Sequence, residues 1–213
     1  MDLYFSPLAC SMATRIALYE AGEAANFFEV DPKTKRLLAD GSDYLAVYSL
    51  GMVPALRTDD GLLLTENAAI LQYVADRRPD SGLAPTDPRA RSALHQWLCF
   101  IGTELHKGLF VPLLGKKTPD AMKTYVLANN LSRLTYLDDY LTGRDFLLDH
   151  FTVADAYLTT VLNWTQAIPA LDMTPYPAVT DYLNRQRKRA SVAKALSEEA
   201  SLWRAELARH QAA

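Results

Sequence analysis

Every stretch of this chain that reads as β-strand lies in its first 65 residues, and nothing after them alternates as a strand does. Residues 2–6 are short and aromatic-rich, and Pro7 ends them. Residues 27–31 form a second such stretch. Between the two, residues 11–21 carry Ala13, Ile16, Ala17 and Ala21 on one helical face, with Gly22 as a stop signal. Two strands joined by a helix make a βαβ unit, so these strands are expected to be parallel. Residues 32–48 are mixed and suggest one short, loose helix. Residues 53–57 and 62–65 then flank Asp59-Asp60-Gly61, and Asp-Gly between apolar runs is a hairpin signal. Residues 66–78 follow as a helix, with Ala69, Ile70, Tyr73 and Val74 at helical spacing. The expectation is a βαβ–ββα domain over residues 1–78.

Residues 79–88 hold three prolines and Gly82, the composition of a linker. Residues 89–213 are expected to be all-helical, with a ligand cleft between the two domains. Leu94, Trp97, Leu98, Ile101 and Leu105 repeat at helical period. Thr118-Pro119-Asp120 resembles a helix start with proline at the first position, and that helix is expected to run to about residue 141. Thr152-Val153-Ala154-Asp155 has the form of a capping box, with Phe151 as a candidate staple. The helix it opens is apolar nearly all round (Val153, Ala154, Tyr157, Leu158, Val161, Leu162, Trp164), which predicts the buried centre of the helical domain.

Composition narrows the function. A net charge of −3 offers no field for gripping nucleic acid or an anionic membrane, and the basic run at residues 185–189 reads as a solvated helix face. No apolar run approaches the roughly 20 residues of a membrane helix, and the first residues lack the pattern of a secretion signal. Two cysteines, Cys10 and Cys99, are too few for a disulfide framework. A cytoplasmic, reducing compartment is the expectation.

Four places could carry chemistry. Cys10 lies between a strand and a helix start, where free N–H groups and positive potential favour a thiolate. A small, unreactive buried cysteine is the competing reading. Ala13 stands where a Cys-x-x-Cys pair would need its second thiol, so a dithiol redox enzyme is not expected. Val53-Pro54 suggests either an edge proline or a cis bond that leaves the Val53 backbone able to pair with an extended ligand. Glu66-Asn67, at a strand-to-helix junction, offers a carboxylate for an ammonium and N–H groups for a carboxylate, or else plain capping. Cys99, Thr103, His106 and Phe110 recur at spacings of four, three and four, which predicts one shared helix face. On it His106 could donate to a sulfur, and Lys107 could meet an anion. No grouping of His, Cys and carboxylates has metal-ligand spacing, so no metal is expected.

Taken in order, these segments resemble the cytosolic glutathione transferases, most closely the bacterial beta class. The resemblance rests on Leu3-Tyr4-Phe5-Ser6-Pro7 with Ala9-Cys10-Ser11, Val53-Pro54-Ala55-Leu56, Leu64-Thr65-Glu66-Asn67-Ala68-Ala69-Ile70, Thr103-Glu104-Leu105-His106-Lys107-Gly108 and Phe151-Thr152-Val153-Ala154-Asp155-Ala156-Tyr157-Leu158. It implies an α/β thioredoxin-like N-terminal domain, an all-α C-terminal domain, a cis Val53–Pro54 bond and a homodimer. Glutathione would be the co-substrate, with Cys10 and His106 catalytic at its sulfur. Ser11, Met52, Val53 and Pro54 would surround the tripeptide, and Val53 would pair its backbone with the cysteinyl unit. Glu66 and Asn67 would hold the γ-glutamyl end. Lys35 and Lys107 would sit near anionic ends, and Cys99 and Glu104 would reach toward the partner subunit's ligand. Leu8, Phe110, Leu113, Trp164 and Ile168 are candidates for a second-substrate pocket, from position and apolar chemistry.

The chain departs from that class at Leu8, Arg15, Met52 and Cys99, where glycine, histidine, a turn glutamine and asparagine are usual. The implied activity is conjugation of the glutathione thiolate to small hydrophobic electrophiles, a detoxifying reaction in bacteria. Two alternatives stand beside it: a thiol reductase or peroxidase working through a Cys10 mixed disulfide, and a binding protein that kept only the fold.

Overall fold

Residues 1–212 are described by the computed structural model. Four strands form one sheet in the order β2-β1-β3-β4. β1 (Asp2–Phe5) pairs in parallel with β2 (Asn26–Glu29) and antiparallel with β3 (Ala55–Arg57). β3 pairs antiparallel with β4 (Leu63–Thr65). The βαβ prediction holds because α1 (Met12–Ala21) supplies the crossover, with Met12, Ala13, Ile16 and Ala17 fully buried. Gly22 ends it at φ +64°, the left-handed conformation that glycine adopts without a Cβ clash. Asp59-Asp60-Gly61 closes the hairpin, with Thr58 N–H donating to Leu62 O at 2.9 Å. α2 (Asn67–Arg77) follows. Of the helix expected within residues 32–48, only the 3₁₀ turn Tyr44–Ala46 forms.

The helical region runs through α3 (Pro88–Phe100), a π-wound segment (Ile101–Phe110), α4 (Val111–Leu114), α5 (Asp120–Asn129), α6 (Ser132–Leu141), α7 (Val153–Asn163), α8 (Pro177–Gln186) and α9 (Ala190–Ala212). Three expectations change here. First, the helix expected over residues 118–141 breaks at Asn130, whose side chain leaves the helix to donate to Gly108 O at 2.6 Å. Asparagine competes with the helix in this way because its amide can satisfy backbone groups elsewhere. Second, π-winding over residues 101–110 adds a residue per turn and rotates the side chains off the 3.6-residue pattern. Cys99 and Thr103 are therefore exposed while His106 and Phe110 are buried, so the four share no face. Third, the basic run is only partly solvated. Gln186 is buried, Arg187 donates to Asn163 Oδ1 at 2.7 Å, and Arg189 lies over the Phe151 ring.

The capping box of α7 is present, and every residue from Val153 to Leu162 is buried, as the nearly all-round apolar pattern predicts, with Asp155, Thr159 and Thr160 buried among them. Two compact units result: Met1–Leu83 together with the chain from Ala190 onward, and Ala84–Arg189. The sequence pattern alone groups α9 with the other helices. Val192, Ala195 and Glu199, spaced three and four apart, form its buried stripe, and α9 packs on α1.

Candidate functional site

In the first unit, the turn from Ser6 to Ser11 carries Cys10 to the start of α1. Cys10 is half-buried, and its Sγ lies 3.2 Å from Val53 O as a donor. The Val53–Pro54 bond is cis. Asn67 Nδ2 donates to Cys10 O at 2.8 Å, and Asn67 Oδ1 accepts from Thr14 Oγ1 at 3.2 Å. Both ends of that amide are thus used inside the fold. It fastens α2 to the start of α1, so what Asn67 offers a ligand is its place at the first turn of α2 and not its side-chain amide. The Ser11 side chain is likewise engaged within the fold. It is fully buried, and its hydroxyl donates to Ser6 O at 3.3 Å.

Glu66 is exposed at the start of α2, with its backbone at φ +66° and no capping hydrogen bond from its side chain. Plain capping is therefore not its role. Its carboxylate stands beside a helix N-terminus whose first N–H groups have no partner within the helix. Among the described residues, three non-glycine positions have positive φ: Leu8 (+56°), Lys35 (+57°) and Glu66 (+66°). Each such backbone costs on the order of 1–3 kcal/mol, and such strain concentrates at functional sites. All three belong to the residues singled out from sequence.

Lys35 Nζ donates to Gly51 O at 2.9 Å, and the Tyr44 hydroxyl donates to Met52 O at 2.7 Å. Met52 is 48% exposed. Leu8 N–H donates to Glu199 Oε2 at 2.7 Å. The other oxygen of Glu199 accepts from Arg15 Nε at 2.8 Å, and the Arg15 guanidinium lies between the Phe5 and Phe27 rings, 4.4 and 4.0 Å from their centroids. Burial pushes the Glu199 carboxyl up to about 7, against the opposing pull of Arg15 and the Leu8 N–H. Glu199 thus holds the loop that carries Cys10. Its place on the buried stripe of α9, an acidic residue on an otherwise apolar face, is the signal the sequence contains for this role.

In the second unit, His106 is buried and shares a 2.7 Å hydrogen bond between Nδ1 and the Tyr157 hydroxyl. Its ring centroid lies 5.0 Å from that of Trp164. Burial, and then the nearby Lys107 charge, push its pKa down to about 4, so the imidazole is neutral at pH 7. Lys107 is exposed. Phe110 is fully buried edge-on to Trp164, so it presents no surface as the pocket wall proposed from sequence. Leu113 and Ile168 retain 7% and 6% exposure, and Trp164 is half-buried. Glu104 accepts from Arg133 Nε at 2.8 Å. Among the described residues, no three His, Cys, Asp or Glu side chains gather as metal ligands would, and no helix is long and apolar enough to cross a membrane.

The comparisons agree with this geometry. The family models for the N-terminal and C-terminal domains of glutathione S-transferase match residues 9–77 and 132–185. Glutathione S-transferase GstA of Escherichia coli O157:H7 is 42% identical over 201 residues, which covers 93% of this chain and 98% of GstA. A sphingomonad glutathione S-transferase solved in complex with glutathione superposes with a TM-score of 0.88 at 42% identity, over 94% of this chain and 99% of that one. The bacterial beta class enzyme of Sphingomonas chungbukensis gives 0.88 at 41% identity, over 93% and 98%. With the sheet order, the cis Val53–Pro54 bond and the Cys10 turn in place, this chain belongs to the glutathione S-transferase family.

Proposed function

We propose that the chain transfers the thiolate of glutathione to small hydrophobic electrophiles. The observation that carries this reading is the juxtaposition of the Cys10 sulfur with the Val53 carbonyl at 3.2 Å. It sets a backbone edge able to pair with an extended peptide beside a thiol. Glutathione is a short peptide whose own thiol lies at its centre, so such a site would suit it. Glu66 would meet the ammonium of the γ-glutamyl end, with the N-terminus of α2 beside the neighbouring carboxylate. Lys35 would meet the glycyl carboxylate. The thiolate would attack the electrophilic carbon, forming the C–S bond as the leaving group departs with its electron pair.

His106 is proposed as a catalytic residue in its neutral form, and Leu8, Leu113, Trp164 and Ile168 as contacts for the second substrate. A homodimer in which Cys99 and Glu104 approach the partner, a cytoplasmic location and a detoxifying role belong to the same proposal.

A second reading rests on Cys10 being half-exposed. Its thiolate could take up glutathione as a mixed disulfide, releasing the other thiol of a disulfide substrate. A second glutathione would then free Cys10 as oxidised glutathione leaves. Cys10→Ala separates the two. Conjugation of a model aryl halide that persists above background in the variant supports transfer. Conjugation lost together with disulfide reduction supports the Cys10-centred reading.

A further inference from the structure

Three consecutive carbonyls of the first unit are each held by a side chain from a different part of the chain. Lys35 Nζ takes Gly51 O at 2.9 Å, the Tyr44 hydroxyl takes Met52 O at 2.7 Å, and Cys10 Sγ takes Val53 O at 3.2 Å. The outer two belong to residues already proposed to meet glutathione. The middle one does not. Tyr44 is fully buried, in a cluster with Tyr4, Val30, Leu37 and Ala55, and no ligand reaches it.

We infer that Tyr44 is a positioning residue: by holding Met52 O it turns the Val53 N–H outward to receive the backbone of the bound tripeptide. The reason is the planarity of the peptide unit. In a trans peptide the C=O of one residue and the N–H of the next point in opposite directions in one plane. Fixing Met52 O on a buried hydroxyl therefore fixes the direction of the Val53 N–H, away from the Tyr44 cluster. That N–H finds no acceptor among the described residues. An unpaired, pre-aimed donor is what strand addition by a ligand needs, and pre-aiming removes the ordering cost from the binding step.

Two further features keep the carbonyl from turning. Burial raises the Tyr44 pKa, so the hydroxyl stays protonated and remains a donor throughout the neutral range. Gly51 is packed so closely that a Cβ there would lie 2.9 Å from Leu45 Cδ2 and 3.2 Å from Lys35 Cδ. The segment is thus clamped on both sides of the Met52 peptide.

The inference rests on the glutathione reading, so the test has one arm that needs no glutathione. The variant is Tyr44→Phe, which removes one oxygen and keeps the ring in its cluster. In the ligand-free protein, the Val53 amide signal in a nitrogen–proton correlation spectrum is expected to shift and broaden, because the peptide plane is no longer held. In the second arm, the variant is expected to raise the KM for glutathione roughly five- to tenfold while leaving kcat at saturating glutathione near wild type, the loss of about one hydrogen bond's worth of pre-organisation. A Val53 amide unchanged in the variant overturns the inference whatever glutathione does. So does a fall in kcat with an unchanged KM, which a merely structural role for Tyr44 would produce. If wild type fails to bind glutathione, the proposed function falls, and the amide signal still decides whether Tyr44 aims the Val53 N–H.

Discussion

Glu199→Gln tests whether the carboxylate that holds the Cys10 loop titrates within the fold. The Glu199 pKa stands at about 7, against 4.5 for an ordinary glutamate, with burial as the dominant cause. Between those two values the folded protein keeps a proton that the unfolded chain has released. The group therefore contributes stability that is complete below about 4.5 and is lost as pH rises through 7. The interval is about 2.5 pH units, and each unit is worth about 1.4 kcal/mol, so the full swing is about 3 kcal/mol. Glu199 has no solvent exposure, so screening by water does not reduce that figure. Glutamine cannot titrate. The assay is urea denaturation of wild type and Glu199→Gln at matched protein concentration from pH 4.5 to 8. Taking the difference between the two proteins cancels the groups that titrate in this window independently of Glu199. The wild type is expected to gain about 3 kcal/mol relative to the variant on going from pH 8 to pH 4.5. A difference constant to within about 0.5 kcal/mol across the range would refute the reasoning, because Arg15 and the Leu8 N–H would then have held Glu199 ionised throughout.

Asp155 is fully buried and accepts from Leu147 N–H, Thr152 N–H and the Tyr182 hydroxyl, each at 2.9 Å, and from Thr152 Oγ1 at 3.0 Å. Asp155→Ala orphans these donors, and thermal or urea unfolding is expected to show a loss of roughly 3 kcal/mol or more. His106 is expected to be neutral across pH 5–8, with its imidazole titrating near 4 in a nitrogen-15 NMR titration; a midpoint above 6 would show that burial does not control it. Gly51→Ala places a Cβ against Leu45 and Lys35 at φ +59°, where alanine is disfavoured by about 1 kcal/mol. The KM for glutathione is expected to rise several-fold, and an unchanged KM would show that the Gly51 segment is free to move.

The strands and their pairing were legible because each had a local signal: aromatic-rich runs, Asp-Gly between them, and Gly22 at a helix end. α7 was legible because a helix buried on every side is apolar on nearly every face, and its own capping box marks where it starts. The π-wound segment was not. Its residues suit a helix of ordinary period, and nothing in their order marks the wider winding that residues 101–110 adopt. The bond from Asn130 to Gly108 O lies at the break in the helix expected to reach residue 141. At the site, Cys10, Val53 and Glu66 were legible because residue type and place between elements already define their chemistry. The internal hydrogen bonds of the Ser11 and Asn67 side chains, to Ser6 for one and to Cys10 and Thr14 for the other, were not legible, because they depend on how the fold brings these residues together. Glu199 lies 191 residues from the Leu8 amide it holds, a distance over which no local pattern speaks.

The central claim is that the first unit binds glutathione with its γ-glutamyl end on Glu66. Titration calorimetry of glutathione into wild type and Glu66→Ala tests it most directly. Binding in the micromolar to low-millimolar range that disappears in Glu66→Ala is the predicted result. No binding by wild type, or equal binding by the variant, would contradict the account.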